Sequence, residues 1–208
     1  MKQFGETVEG YSIPVLNERE IRAAAGILFL FVLIAIQRVI YTGDFLMIKY
    51  FVLIFLLDFI VRVLISPKYA PTLIIGRMIV SKQTPEYVGA AQKKFAWIIG
   101  LVLAVTMLVL LVIMNTKSPV TGIICLICQI FLLFESVFGI CLGCLFYGWF
   151  YKEKAQHCPG EICEIKDKHA IQKVSWKQVV IVLAFVALAV ATFIFCKTNF
   201  NQPPVDLF

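Results

Sequence analysis

The sequence predicts an all-α integral membrane protein, with a four-helix transmembrane core followed by a fifth, C-terminal transmembrane helix. Three observations carry this reading. The 208 residues are 61% hydrophobic and only 15% charged, with a mean hydropathy of +0.90, whereas soluble domains average roughly 45–50% apolar and about 25% charged. A water-soluble fold of this size has too little polar surface to cover so much apolar side chain. The apolar residues also fall into five runs close to the roughly 20 residues that a helix needs to cross hydrocarbon. Finally, the charges behind the net +6 collect between those runs. There they report topology rather than a nucleic-acid face, because no soluble element interleaves clustered Lys and Arg with aromatics.

Residues 1–22 are mixed in charge and contain no apolar run, so they read as a cytoplasmic segment without a cleavable signal peptide. The predicted spans are Ala23–Ile40, Phe45–Ile65, Ala96–Met114, Val120–Phe150 and Val179–Cys196. As helices they satisfy their own backbone hydrogen bonds, which hydrocarbon demands. Tyr41–Asp44 is a turn, and Pro119 suits the first turn of the fourth helix. These short links make two helical hairpins. Loop 66–95 carries Lys68, Arg77, Lys82, Lys93 and Lys94, and loop 151–178 carries Lys152, Lys154, Lys166, Lys168, Lys173 and Lys177. The positive-inside rule places both loops and the N-terminus in the cytoplasm, with the chain in the cell (inner) membrane. The organisation is then a segment 1–22, a core 23–150, a basic Cys-containing loop 151–178, and a last helix with a short tail 179–208. Within loop 66–95, Pro71–Val80 is apolar but too short to cross, and it reads as a half-buried interfacial helix, with a re-entrant segment as the alternative.

Several stretches bear a resemblance: Gly10-Tyr-Ser-Ile-Pro-Val-Leu-Asn-Glu-Arg19, Arg22-Ala-Ala-Ala-Gly26, Asp58-Phe-Ile-Val-Arg62, Pro67-Lys-Tyr-Ala-Pro71, the run from Pro85 to Trp97, Glu135-Ser-Val-Phe-Gly-Ile-Cys-Leu-Gly-Cys144 and Cys158-Pro-Gly-Glu-Ile-Cys163. With these the chain resembles a bacterial membrane family catalogued as domain of unknown function 4395. The Cys-Leu-Gly-Cys run with its preceding Glu is the most specific part. The resemblance implies a compact four-helix membrane core and brings no established activity. The fifth span is an addition to that pattern.

Six of the seven cysteines form three close pairs: Cys125 with Cys128, Cys141 with Cys144, and Cys158 with Cys163. Residues three apart on a helix face the same side, so the first two pairs can each present two thiols together. Around the fourth span, Cys125, Cys128, Glu135, Ser136, Gly139 and Gly143 share an arc of about 100°, which predicts a helix-facing stripe. Cys141 and Cys144 fall beside that stripe, and a kink between Gly139 and Gly143 would bring them round. A kink is expected, since an unbroken helix over Val120–Phe150 would run to about 46 Å against about 30 Å of hydrocarbon. The plain reading of these residues is packing. Gly139 and Gly143 make a close-approach spacing, and cysteine is a small buried apolar residue. The chemical reading is that Cys141 and Cys144, near the membrane boundary, form a disulfide or hold a soft metal. In the basic loop, Pro159-Gly160 makes a turn that can return Cys163 to Cys158, with His157 and Glu161 beside them as third ligands or as a base. A structural disulfide is not expected in reducing cytoplasm.

Charges within the spans are functional candidates by default. Glu135 falls about midway along the fourth span. Asp58 and Arg62, four apart, are expected to pair on one face, with Arg62 snorkelling toward the cytoplasmic side. These residues predict a membrane thiol protein that passes electrons or sulfane sulfur between a cytoplasmic thioredoxin-like or sulfurtransferase partner and membrane-embedded cysteine pairs. The alternatives are a transporter or binding protein for a soft metal ion or small sulfur anion, and a non-catalytic scaffold. Cys141, Cys144, Cys158 and Cys163 are the reactive candidates, with Glu135, Cys125, Cys128, His157, Asp58 and Arg62 in support. The lipid bilayer is the expected partner, no nucleic acid is expected, and a homo-oligomer stays open. No nucleotide loop, haem-attachment, serine-nucleophile or zinc-protease motif names a cofactor or an enzyme class.

Overall fold

The computed structural model describes residues 4–11, 13–151, 174–201 and 205–206. Seven α-helices dominate them: α1 Glu18–Thr42, α2 Leu46–Ile60, α3 Pro71–Ile79, α4 Ala90–Met107, α5 Pro119–Leu133, α6 Leu142–Tyr151 and α7 Trp176–Phe200. Three of them run on into π-helical turns, α2 through Val61–Ile65, α4 through Leu108–Ile113 and α5 through Phe134–Phe138. Four helical stretches are long and apolar enough to cross a bilayer: Glu18–Thr42, Ala90–Ile113, Pro119–Phe138 and Trp176–Lys197. This is the architecture of a multi-pass membrane protein. The expected second span is present as α2 with its π turn, but it carries Lys49, Asp58 and Arg62 and stands apart from those four.

Local chemistry explains the helix starts. Asn17 caps α1 by accepting the backbone N–H of Arg19. Ser118 caps α5 in a reciprocal box with Thr121, and Pro119 occupies the first turn as its spacing predicts. Ser175 and Gln178 form the same box at the start of α7. The core is an aromatic and aliphatic seam in which Phe51, Phe55 and Phe59 of α2 run toward Trp97 of α4, packed on Leu28 and Val32 of α1. The rings of Phe55 and Phe59 stack at 4.0 Å between centroids.

One end of the bundle carries a layer of polar structure that hydropathy does not announce. Strand β1 (Val15–Asn17) pairs antiparallel with β2 (Tyr87–Gly89), so the N-terminal segment folds onto loop 66–95. Helix α3 is buried along most of its length against α1, more deeply than a half-buried interfacial helix would be. Its first turn is clamped to α2: Asp58 accepts the Thr72 backbone N–H at 2.9 Å and the Thr72 hydroxyl at 2.7 Å. Arg62 donates from Nε to Asp58 at 2.7 Å and also reaches Thr72 Oγ1. The expected pair is thus present, but Arg62 does not snorkel. Its guanidinium is buried over the rings of Phe59 and Trp97, at 4.6 and 5.2 Å.

Helix α7 lies at the periphery and is held mainly at its ends. Gln178 donates from Nε2 to the Lys68 carbonyl at 2.9 Å at one end. At the other, the Tyr50 hydroxyl donates to the Phe193 carbonyl at 2.9 Å and Lys49 to the Phe200 carbonyl at 3.4 Å. Beyond it, β4 (Val205–Asp206) pairs in parallel with β3 (Thr116–Lys117).

The Asp58 cluster yields a stability prediction. Removing one partner of a buried pair costs about 3–5 kcal/mol, because the other charge is stranded. Asp58→Ala should lower the melting temperature of the detergent-solubilised protein more than Arg62→Ala, since Asp58 also serves two Thr72 donors. The double variant should melt no lower than Asp58→Ala alone. A double variant that is additively worse would show that the two charges do not act as a unit.

Candidate functional site

The fourth span does not continue to Phe150 as expected. It breaks after the π turn, where Gly139 adopts φ 67° in the left-handed region, and resumes as α6 at Leu142. Glycine tolerates that conformation where a side chain would be strained. The Arg22 guanidinium covers the break and donates from Nη2 to the Val137 carbonyl at 3.2 Å, meeting the carbonyl-rich end of the helix. Helix α6 then turns onto the start of α4. A Cβ on Gly143 would come within 2.5 Å of the Ala96 Cβ, so only glycine allows this approach. The expected kink is therefore a complete break.

Cys141 and Cys144 straddle the restart and are joined as a disulfide, with Cα atoms 5.1 Å apart. Cys141 immediately precedes α6, and its Sγ accepts the Cys144 backbone N–H at 3.2 Å, as an N-cap side chain does. Cys144 is buried, whereas Cys141 is only partly so. Cys141 lines a small cavity of about 60 Å³ together with Cys128, Arg62, Trp97 and Glu135. Cys125 and Cys128 pack on the core, as the helix-facing stripe predicts, and together border a second void of about 20 Å³. Four of the predicted site residues thus meet at one cavity, and Asp58 joins them through Arg62. Cys158, Cys163 and His157 lie outside the described residues. Among the described residues, no group of three or more His, Cys, Asp or Glu side chains is disposed to hold a metal ion.

Glu135 is not at mid-span. Because α5 ends at Gly139, Glu135 sits in the last turn and meets the polar layer, where it pairs with Lys93. The Lys93 ammonium is 1% exposed and also contacts Glu18, at 3.0 Å from Oε1 and 2.8 Å from Oε2. Lys93 therefore ties α1, α4 and the end of α5 at one buried point. Neither Lys93 nor Glu18 was among the predicted site residues, because both stand at the edges of apolar runs and read as boundary charges. Helical spacing marks them as inward-facing: Lys93 shares a face with Trp97 and Ala104, and Glu18 with Ile21, Ala25 and Leu28.

Lys93→Met should strand two carboxylates and cost about 3–5 kcal/mol, read as a large fall in melting temperature. Adding Glu18→Gln and Glu135→Gln to it should recover most of the loss. If the triple variant melts as low as Lys93→Met, the triad is not what holds the three helices.

The model of the family described as "Domain of unknown function (DUF4395)" matches residues 16–152. No curated protein and no solved structure matches the chain. The match runs from the Asn17 cap through α6 and takes in Glu18, Asp58, Arg62, Lys93, Glu135 and both cysteines of the disulfide, leaving α7 outside. The chain belongs to the DUF4395 family.

Proposed function

We propose that this is a membrane thiol protein in which the Cys141–Cys144 pair exchanges electrons or sulfane sulfur with a cytoplasmic thioredoxin-like or sulfurtransferase partner, received through Cys158 and Cys163. The observation that carries the reading is the construction around the pair. Cys141, the more accessible sulfur, stands at the N-terminus of a ten-residue helix and accepts its amide N–H. That arrangement favours negative charge on the sulfur, and it is the thiolate that attacks or leaves in exchange. Cys144 is buried behind it as the resolving thiol, and Arg62, Glu135 and Cys128 share the adjoining cavity. A packing role would require none of these charged neighbours.

In this reading the chain crosses the inner membrane five times, with α2 and its π turn as the crossing added to the four long apolar stretches, and with the N-terminus and segments 66–95 and 151–178 in the cytoplasm. The two end contacts of α7 support its crossing, since they engage opposite ends of the core. The lysines of 151–178 support the orientation. Segment 66–95 contributes less than its composition suggests, because Lys93 and Arg77 are committed to internal ion pairs.

Three outcomes test this. Cys141→Ser and Cys144→Ser should abolish exchange with little change in melting temperature, while Cys163→Ser should accumulate a mixed disulfide with the cytoplasmic partner because its resolving thiol is gone. Serine variants with wild-type activity would return the cysteines to packing. A membrane-impermeant maleimide added to intact cells should leave Cys158 and Cys163 unlabelled, and their labelling would reverse the orientation.

A further inference from the structure

The thiol cavity shares two wall residues, Ile21 and Trp97, with a larger cavity at the same end of the bundle. This second cavity, of about 240 Å³, lies among the first turn of α1, the Ser66–Lys68 turn and Arg77 of α3. Arg77 is 5% exposed. Its Nε donates to Glu20 Oε2 at 3.1 Å, and its Nη2 lies 4.0 Å from Glu6 Oε1. Its Nη1 has no acceptor among the described residues. Leaving a buried charged donor unmet costs on the order of 1–3 kcal/mol, so the cavity wall holds an unused preference for an acceptor.

The surrounding charges decide which acceptor. Glu20 is already engaged, by Arg77 Nε and by Asn17 Nδ2 at 3.0 Å, and so does not compete for Nη1. Glu6, 27% exposed, is the opposing charge. Tyr87 adds none, because burial, then Tyr11, Glu6 and Glu20, push its hydroxyl up to about 12. Lys68 lines the cavity and is exposed, and the positive end of α1 opens on the same space. The balance of donors favours an anion with several acceptor oxygens.

We propose that this cavity binds a small tetrahedral oxyanion, anchored by Arg77 and held by Lys68. Its service as an entry chamber for the thiol site, behind Ile21 and Trp97, rests on the function proposed above. The binding itself does not. The same chemistry is offered by thiosulfate, by inorganic phosphate and by a phospholipid headgroup.

The test is calorimetric titration of the full-length protein in detergent at constant ionic strength, with thiosulfate, sulfate, inorganic phosphate and phosphorylethanolamine as probes. At least one should bind saturably at one site per chain. Arg77→Lys should weaken binding about tenfold or more, the loss expected for a hydrogen bond to a charged group. Because Arg77 also holds Glu20, two variants outside that pair carry the decision: Lys68→Ala should weaken binding about threefold, and Glu6→Gln should tighten it by a similar factor. The tightest probe names the source, whether sulfur oxyanion, free phosphate or headgroup. The Cys141→Ser, Cys144→Ser variant should bind equally, which separates this site from the thiol chemistry. Absence of saturable binding by every probe, indifference to Lys68→Ala and Glu6→Gln, or loss of binding in the serine variant would overturn the proposal.

Discussion

Lys93, buried between Glu18 and Glu135, is the constraint on which the rest of this structure depends. An ammonium in an apolar bundle is tolerated only if carboxylates meet it, and a carboxylate so placed needs its cation in turn. The triad therefore fixes three helices relative to one another with little freedom. It holds the last turn of α5 against α1 and α4, and so determines where that helix must stop. The break at Gly139, the Arg22 contact over it and the restart of α6 beside Ala96 follow from that position. The disulfide sits where it does because the chain has to turn there.

Around the triad, the other buried charges act as joints rather than as isolated pairs. Asp58 and Arg62 clamp α3 to α2, Arg77 and Glu20 clamp α3 to α1, and the short sheet of β1 with β2 closes the N-terminal segment over them. One end of the molecule is thus a polar, hydrogen-bonded cap on an apolar bundle. The cavity beside Cys141 and the larger cavity beside Arg77 both border this cap, where side chains of both signs are held in place. The opposite end is simpler, with Lys49 and Tyr50 holding the last turns of α7 and the β3–β4 pairing holding the chain after it.

Much of the fold was legible before any coordinates. The apolar runs mark the long helices, Pro119 marks the start of α5, and the spacing of Asp58 and Arg62 marks their pairing. The stripe holding Cys125 and Cys128 turns inward as its periodicity requires. What hydropathy could not show is direction at the helix ends. Lys93 and Arg77 count as loop charges in composition, yet both point into the protein, and only the face they share with buried neighbours reveals it. The extent of the break was hidden for a related reason. Gly139 and Gly143 suggest a kink, but a run that stays mostly apolar from Val120 to Phe150 does not show that the helix stops, and the Arg22 contact at Gly139 and the Ala96 contact at Gly143 are both distant in sequence. Glu135 was misplaced toward mid-membrane by the same continuity.

The proposed function requires Cys141 and Cys144 to behave as one reversible redox couple. The most direct measurement equilibrates the purified protein across a series of glutathione redox buffers, then alkylates it and reads the mass shift at the two cysteines. The expected result is a single reversible transition in which both thiols appear and disappear together, unchanged when Cys125 and Cys128 are replaced by Ser. Two thiols that stay reduced at every poise, or that titrate independently of each other, would contradict it.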